Sequence, residues 1–129
     1  VKIDVNPPAA LREHIAQGKT QWFRGSWIAD YPDAENYLSL FYSKNHCPKG
    51  SNYTHFSSKE YDKLYEKAIL ETDYEKRIAL YKKMNAIIIE ESPIVMLYYD
   101  QVLRFVQKNI SGFDSNPLNL LVLKNVKKD

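Results

Sequence analysis

Trp27, Asp30, Tyr31 and Asp33 fall within the seven residues WIADYPD, and they are the side chains of this sequence best suited to acting on a charged ligand. A carboxylate flanked by an indole and a phenol is partly shielded from water, so it attracts a cation more strongly than a solvated one, while the rings add a face contact. The ligand implied is an amine. A second reading stands beside this one, because Asp at a turn is commonly a cap or a backbone-bonding turn residue, and Asp33 competes with Asp30 for that duty. Tyr53 and Trp22 join Trp27 and Tyr31 as candidates for the border of a crevice, since they lie in loop and strand-end segments.

Other constellations carry less. His46, Cys47 and His55 are competent metal ligands, but their spacing matches no zinc pattern, so no metal or cofactor site is expected. CPKGS has the tail of a phosphate loop with lysine and glycine in the wrong order and without the leading glycine. No G-x-S-x-G elbow is present, and the pairs Asp30/Asp33 and Glu90/Glu91 are weak grounds for acid–base catalysis, Glu90 and Glu91 reading as a solvated face. A hydrolase using Asp30 and Asp33 is therefore the least supported reading, and the chain is expected not to be an enzyme.

The elements that must position WIADYPD can be read from periodicity. VKIDV alternates as a short strand. Asn6 can cap a helix with Pro7 in its first turn and Gly18 at its end, and TQWFRGSWI, Thr20 to Ile28, reads as a second, aromatic strand with Gly25 at a bulge. Strand, helix, strand closes most simply as a right-handed crossover between parallel neighbours, which places Asp30 at the carboxyl end of the second strand, where ligands gather in open sheets.

Asp33 is then expected to cap a helix carrying Tyr37, Leu38, Leu40 and Phe41, which ends at the polar loop KNHCPKGSN. Ser57 with Glu60, and Thr72 with Glu75, have capping-box spacing. The first opens a helix with Tyr61, Leu64, Tyr65, Ala68 and Ile69 on one face; the second opens one with Ile78, Tyr81, Met84, Ile87 and Ile88, stopped by Pro93. Tyr61, Tyr65, Tyr74 and Tyr81 read as core packing with hydroxyls at the rim. PIVMLYY and VLRFV read as a β-hairpin or two consecutive strands, and LNLLVLKNV as a last strand.

The expectation is one α/β or α+β unit over residues 1–129, with 44% hydrophobic residues to close a core. Eighteen basic and sixteen acidic residues are mixed along the chain for a net charge of +2, so no single-sign field invites nucleic acid. No apolar run approaches the roughly 20 residues of a membrane span. One cysteine leaves the redox compartment undetermined, and the absence of an initiator methionine suggests a piece of a longer protein.

These tracts together resemble a known family. WIADYPDAENYL, the helix with YDKL, the helix with R-x-x-L-Y, and PIVMLYY in this order are similar to the C-terminal part of the oligopeptide- and dipeptide-binding extracytoplasmic receptors of ABC importers. The resemblance covers nearly the whole chain. It implies the C-terminal lobe of a two-lobed clamshell, a mixed sheet flanked by helices, with a final strand returning toward the other lobe. It also implies a peptide as ligand, an ABC permease as partner, and a periplasmic or extracellular location with a lipid anchor as one option. In members that bind peptides the aspartate of W-x-A-D-Y pairs with the ligand's α-amino group, which here points to Asp30, with Trp27, Ala29 and Tyr31 around it. Members also take nickel chelates, haem or sugars, and a peptide-sensing or scaffold role without transport is a further alternative.

Overall fold

The computed structural model describes residues 3–116, 118 and 120–129. Its frame is a helical hairpin of α3 (Lys59–Ala68) and α4 (Tyr74–Glu91), preceded by α1 (Pro8–Ala16) and the one-turn α2 (Glu35–Leu38). Two 3-10 turns, Ser39–Phe41 and Ser43–Asn45, follow α2, and an antiparallel ladder of β1 (Ile110–Ser111) with β2 (Lys127–Lys128) lies near the C-terminal end.

α1, α3 and α4 form where their periodicity places them, with each cap one residue later than expected; the helix expected through Tyr37 and Phe41 with Asp33 as its cap is instead the single turn of α2, whose N-cap is Ala34, continued by the 3-10 turn Ser39–Phe41. Pro7 is the N-cap of α1 and Pro8 its first residue, so Asn6 stays outside. Ser58, not Ser57, accepts the Tyr61 amide at the start of α3, and Asp73, not Thr72, accepts the Lys76 amide at 3.0 Å at the start of α4. A carboxylate also complements the helix dipole, which gives Asp73 the advantage over its threonine neighbour. Gly18 closes α1 with φ +66°, a left-handed conformation that glycine adopts without steric cost.

Tyr61, Tyr65 and Ala68 on α3 meet Leu80, Tyr81, Met84 and Ile88 on α4, and Leu38, Phe41 and Phe56 complete the core. Phe41, Phe56 and Tyr61 pack edge to face with centroids 5.7–6.4 Å apart. The Tyr61 hydroxyl, with no access to water, donates to Leu38 O at 2.7 Å and so ties the end of α2 to α3. Ile69 and Tyr74, expected in this core, are exposed instead. Each sits just beyond the face where α3 and α4 touch, and Tyr74 lies under the Arg77 guanidinium, 6.0 Å away.

The polar loop between these parts is organised by Asn52. Its fully buried side chain donates to Tyr42 O and Phe56 O at 3.1 and 3.0 Å and accepts from the Thr54 hydroxyl at 2.9 Å. An amide satisfied on both sides makes a long loop rigid without regular structure.

The strands expected at residues 1–5, 20–28, 93–106 and 118–126 are not formed among the described residues; residues 1, 2 and 119 of those stretches lie outside them. The parallel crossover unit is therefore absent, and the sheet reduces to the two-residue ladder. The cause is physical. Strand propensity is a preference for a pleated, half-covered surface, and it becomes a strand only where a neighbour supplies the ladder bonds. Here these segments carry no regular structure and leave large side chains uncovered, Val5 at 90%, Leu97 at 69% and Phe105 at 97% exposure.

Candidate functional site

Asp33 and Glu35 hold the tract from Trp27 to Asn36 against the helical hairpin, and Asn36 ties the tract to itself. Asp33 accepts the Glu35 amide at 2.9 Å and the Tyr81 hydroxyl at 3.0 Å through Oδ1, and its Oδ2 lies 3.5 Å from the Arg77 guanidinium. It is thus the turn fastener, as expected, and it reaches α4 as well. Glu35 accepts the hydroxyls of Tyr31 and Tyr65, which clamps the turn to α3. Asn36, a buried residue of α2, accepts the Trp27 indole N–H at 2.7 Å and the Asp30 amide at 3.2 Å on Oδ1, and donates from Nδ2 to Asp30 Oδ2 at 3.3 Å.

The acidic partners and burial hold the phenols protonated. The hydrogen bond to Glu35 pushes Tyr31 above the usual tyrosine range. Burial, then Glu35, pushes Tyr65 further up, and burial, then the bond to Asp33, pushes Tyr81 up to about 12. They serve as fixed donors at neutral pH.

Of the four residues singled out in the tract, the structure brings Trp27, Asp30 and Tyr31 onto one short turn, with half-buried Ala29 between them. Asp30 is not at the end of a parallel strand; Asn36 sets its position instead. Its carboxylate is exposed, and among the described residues Asn36 is its one hydrogen-bonding side-chain partner, whereas Asp33 accepts the Glu35 amide and holds the turn. A carboxylate in that state can accept an ammonium without first giving up a structural role.

Trp22 and Tyr53 stand apart. Trp22 is exposed, and Tyr53 borders a cavity of about 350 Å³ with Gly18, Phe23 and His55 that neither Asp30 nor Trp27 reaches. A second cavity, about 400 Å³, lies between Phe105, Phe113 and Leu121. His46 and His55 have their rings 5.4 Å apart, and His46 Nε2 is engaged with Phe56 O at 2.8 Å. Glu90 and Glu91 are exposed at the end of α4, in keeping with a solvated face.

Sequence reasoning missed Asn36, Glu35 and the hydroxyl roles of Tyr65 and Tyr81. For the tyrosines a signal existed, since a phenol on a buried helix face needs a partner for its oxygen. Asn36 had none, because its position in DAENYL is that of an ordinary solvated first-turn residue.

No family model matches the chain. It is 27% identical over 109 residues to a dipeptide-binding protein of Escherichia coli (strain K12), an alignment covering 84% of this chain and 20% of that protein. A probable deoxycholate-binding periplasmic protein of the same organism is 32% identical over 90 residues, covering 70% and 16%. An oligopeptide-binding protein of Bacillus subtilis (strain 168) is 35% identical over 89 residues, covering 69% and 16%. The chain spans no more than about a fifth of the length of these curated relatives. With a tract in which one aspartate fastens the turn and the other is left available, the chain is a relative of the bacterial dipeptide- and oligopeptide-binding proteins.

Proposed function

We propose that the chain is most of the C-terminal lobe of an extracytoplasmic solute-binding protein that captures peptides for an ABC importer, with Asp30 as the anchor for the ligand's α-ammonium group. The observation that carries this reading is the division of labour between the two aspartates: Asp33 is bound by Tyr81, Arg77 and the Glu35 amide, whereas Asp30 is exposed beside the half-buried indole of Trp27. The dipeptide- and oligopeptide-binding relatives support the ligand class.

The chemistry follows from what all peptides share. A receptor for many sequences cannot rely on side-chain complementarity, so it holds the charged amino end, the backbone and the extended shape. An α-amino group with pKa near 7.7–8.0 is mostly charged at neutral pH. When the second lobe closes over it, water is removed and the fixed carboxylate becomes the group whose loss costs most. The role is binding and delivery to a membrane permease, without catalysis.

The uncovered segments support the lobe assignment. Residues 94–106 expose aliphatic and aromatic side chains on a backbone without ladder bonds, which is the state of sheet strands whose neighbours lie in another part of a longer protein. The full-length protein titrated with a free peptide and its N-acetylated form tests the function. Acetylation, like Asp30→Ala, is expected to weaken binding by about 2–5 kcal/mol. Equal affinities for the two peptides would exclude Asp30 as the amine anchor.

A further inference from the structure

Asn36 makes hydrogen bonds at both edges of its side-chain amide, each to a residue of the proposed amine site. Only one orientation of that amide satisfies its neighbours. The Trp27 indole N–H and the Asp30 backbone N–H are donors without acceptor capacity, so they must face Oδ1; the Asp30 carboxylate accepts only, so it must face Nδ2. Both donors reach one oxygen, at 2.7 and 3.2 Å, and Nδ2 lies 3.3 Å from Asp30 Oδ2. Asn36 itself is 4% exposed, and the helical turn that carries it is pinned through Asp33 and Glu35 to α4 and α3.

We infer that Asn36 is the positioning residue of the amine site: it fixes the angle of the indole wall and the direction of the Asp30 carboxylate as a single unit. This rests on Asp30 being the amine anchor. An exposed carboxylate on a free turn would sample several rotamers, and ordering it at the moment of binding would weaken capture. A buried amide bonded to both its backbone and its side chain removes much of that freedom beforehand. The indole, bonded to the same oxygen, cannot swing away independently.

Nuclear magnetic resonance on the full-length protein tests the node without peptide. In the unmodified protein the Asn36 side-chain amide resonance is expected to shift in step with the protonation of Asp30; an amide signal indifferent to that titration overturns the inference. Asn36→Asp keeps the acceptor for the indole but sets two carboxylates face to face, so the two carboxyl titrations are expected to be coupled, with the Trp27 indole signal retained. Asn36→Leu, similar in branched shape and without polar atoms, is expected to move that indole signal to the position of a solvent-exposed tryptophan. The same variant is expected to shrink the preference for free over N-acetylated peptide by about tenfold. Two carboxyls titrating independently in Asn36→Asp, or an undiminished peptide preference in a folded Asn36→Leu, would each refute the positioning role. If Asn36→Leu does not fold, the native titration and Asn36→Asp decide. An unmodified protein that binds free and acetylated peptides equally would remove the amine anchor, and the positioning role with it, while the coupled resonances would still report the hydrogen bonds.

Discussion

Replacing Asp33 by alanine separates the fastening aspartate from the available one. The substitution removes the acceptor of the Glu35 amide at the start of α2, an interaction of a kind that contributes about 1 kcal/mol. It also strands the Tyr81 hydroxyl, whose residue is 7% exposed and whose bond to a carboxylate at 3.0 Å belongs to the stronger class, about 1.5–3 kcal/mol. The contact with Arg77 adds little, since it is 3.5 Å long and both side chains are about a third exposed. Because these losses share one side chain and partly relax together, Asp33→Ala is expected to destabilise the fold by about 2–3 kcal/mol. Urea denaturation followed by circular dichroism gives the value. Tyr81→Phe alone and the double variant close a cycle in which a coupling of about 1 kcal/mol is expected. Asp30→Ala, by contrast, is expected to cost less, about 1 kcal/mol, since the side chain is exposed and its loss removes one long hydrogen bond, that of Asn36 Nδ2 at 3.3 Å. An Asp33→Ala chain as stable as Asp30→Ala, or strict additivity with Tyr81→Phe, would show that the turn is not fastened through Asp33.

The buried phenols carry a pH signature. A folded-state pKa raised above the unfolded value of about 10 contributes stability that is present below pH 10 and is lost as the pH rises toward the folded value, about 12 for Tyr81. Stability is therefore expected to fall across pH 10–12, with a subset of tyrosines ionising late in an ultraviolet absorbance titration; a chain in which all tyrosines ionise together near pH 10 would contradict the burial. Backbone amides of residues 94–106 are expected to exchange quickly in the isolated 129-residue chain and to be protected by at least about a hundredfold in the full-length protein, measured by hydrogen exchange. Equal protection in both would show that these segments find no sheet there.

What could be read ahead of the coordinates depended on whether the determining contact was local. The α3–α4 hairpin was legible because its signals, the spacing of Tyr61, Tyr65 and Ala68 and of Tyr81, Met84 and Ile88, lie within a few turns of each helix. The caps were legible to within one residue, since Ser57 and Ser58, or Thr72 and Asp73, offer neighbouring oxygens and only the backbone geometry chooses between them. The strands were not, because PIVMLYY and TQWFRGSWI declare a preference for a covered, paired environment without saying which chain provides it. Asp30 and Trp27 stand out as a pair by their types, and the structure bonds both to Asn36. Asn36 was not, since its importance lies in contacts across six and nine residues that no helical or strand period connects.

The arrangement also explains why the tract carries two aspartates and an asparagine within seven residues. A carboxylate that both fastened the turn and received a ligand would face competing demands: each hydrogen bond to the backbone or to Tyr81 would weaken its hold on an ammonium, and each binding event would loosen the turn. With Asp30 as the proposed amine anchor, distributing the tasks removes the conflict. Asp33 absorbs the helix start and the tie to α4, Glu35 absorbs the ties to Tyr31 and Tyr65, and neutral Asn36 steers Asp30 without adding a competing charge. A cation such as lysine at position 36 would occupy Asp30 permanently, and an acid would repel it. An amide alone supplies a donor for the carboxylate and an acceptor for the indole from one buried side chain, and that requirement makes residue 36, rather than any of the exposed aromatics, the position on which the geometry of the site turns.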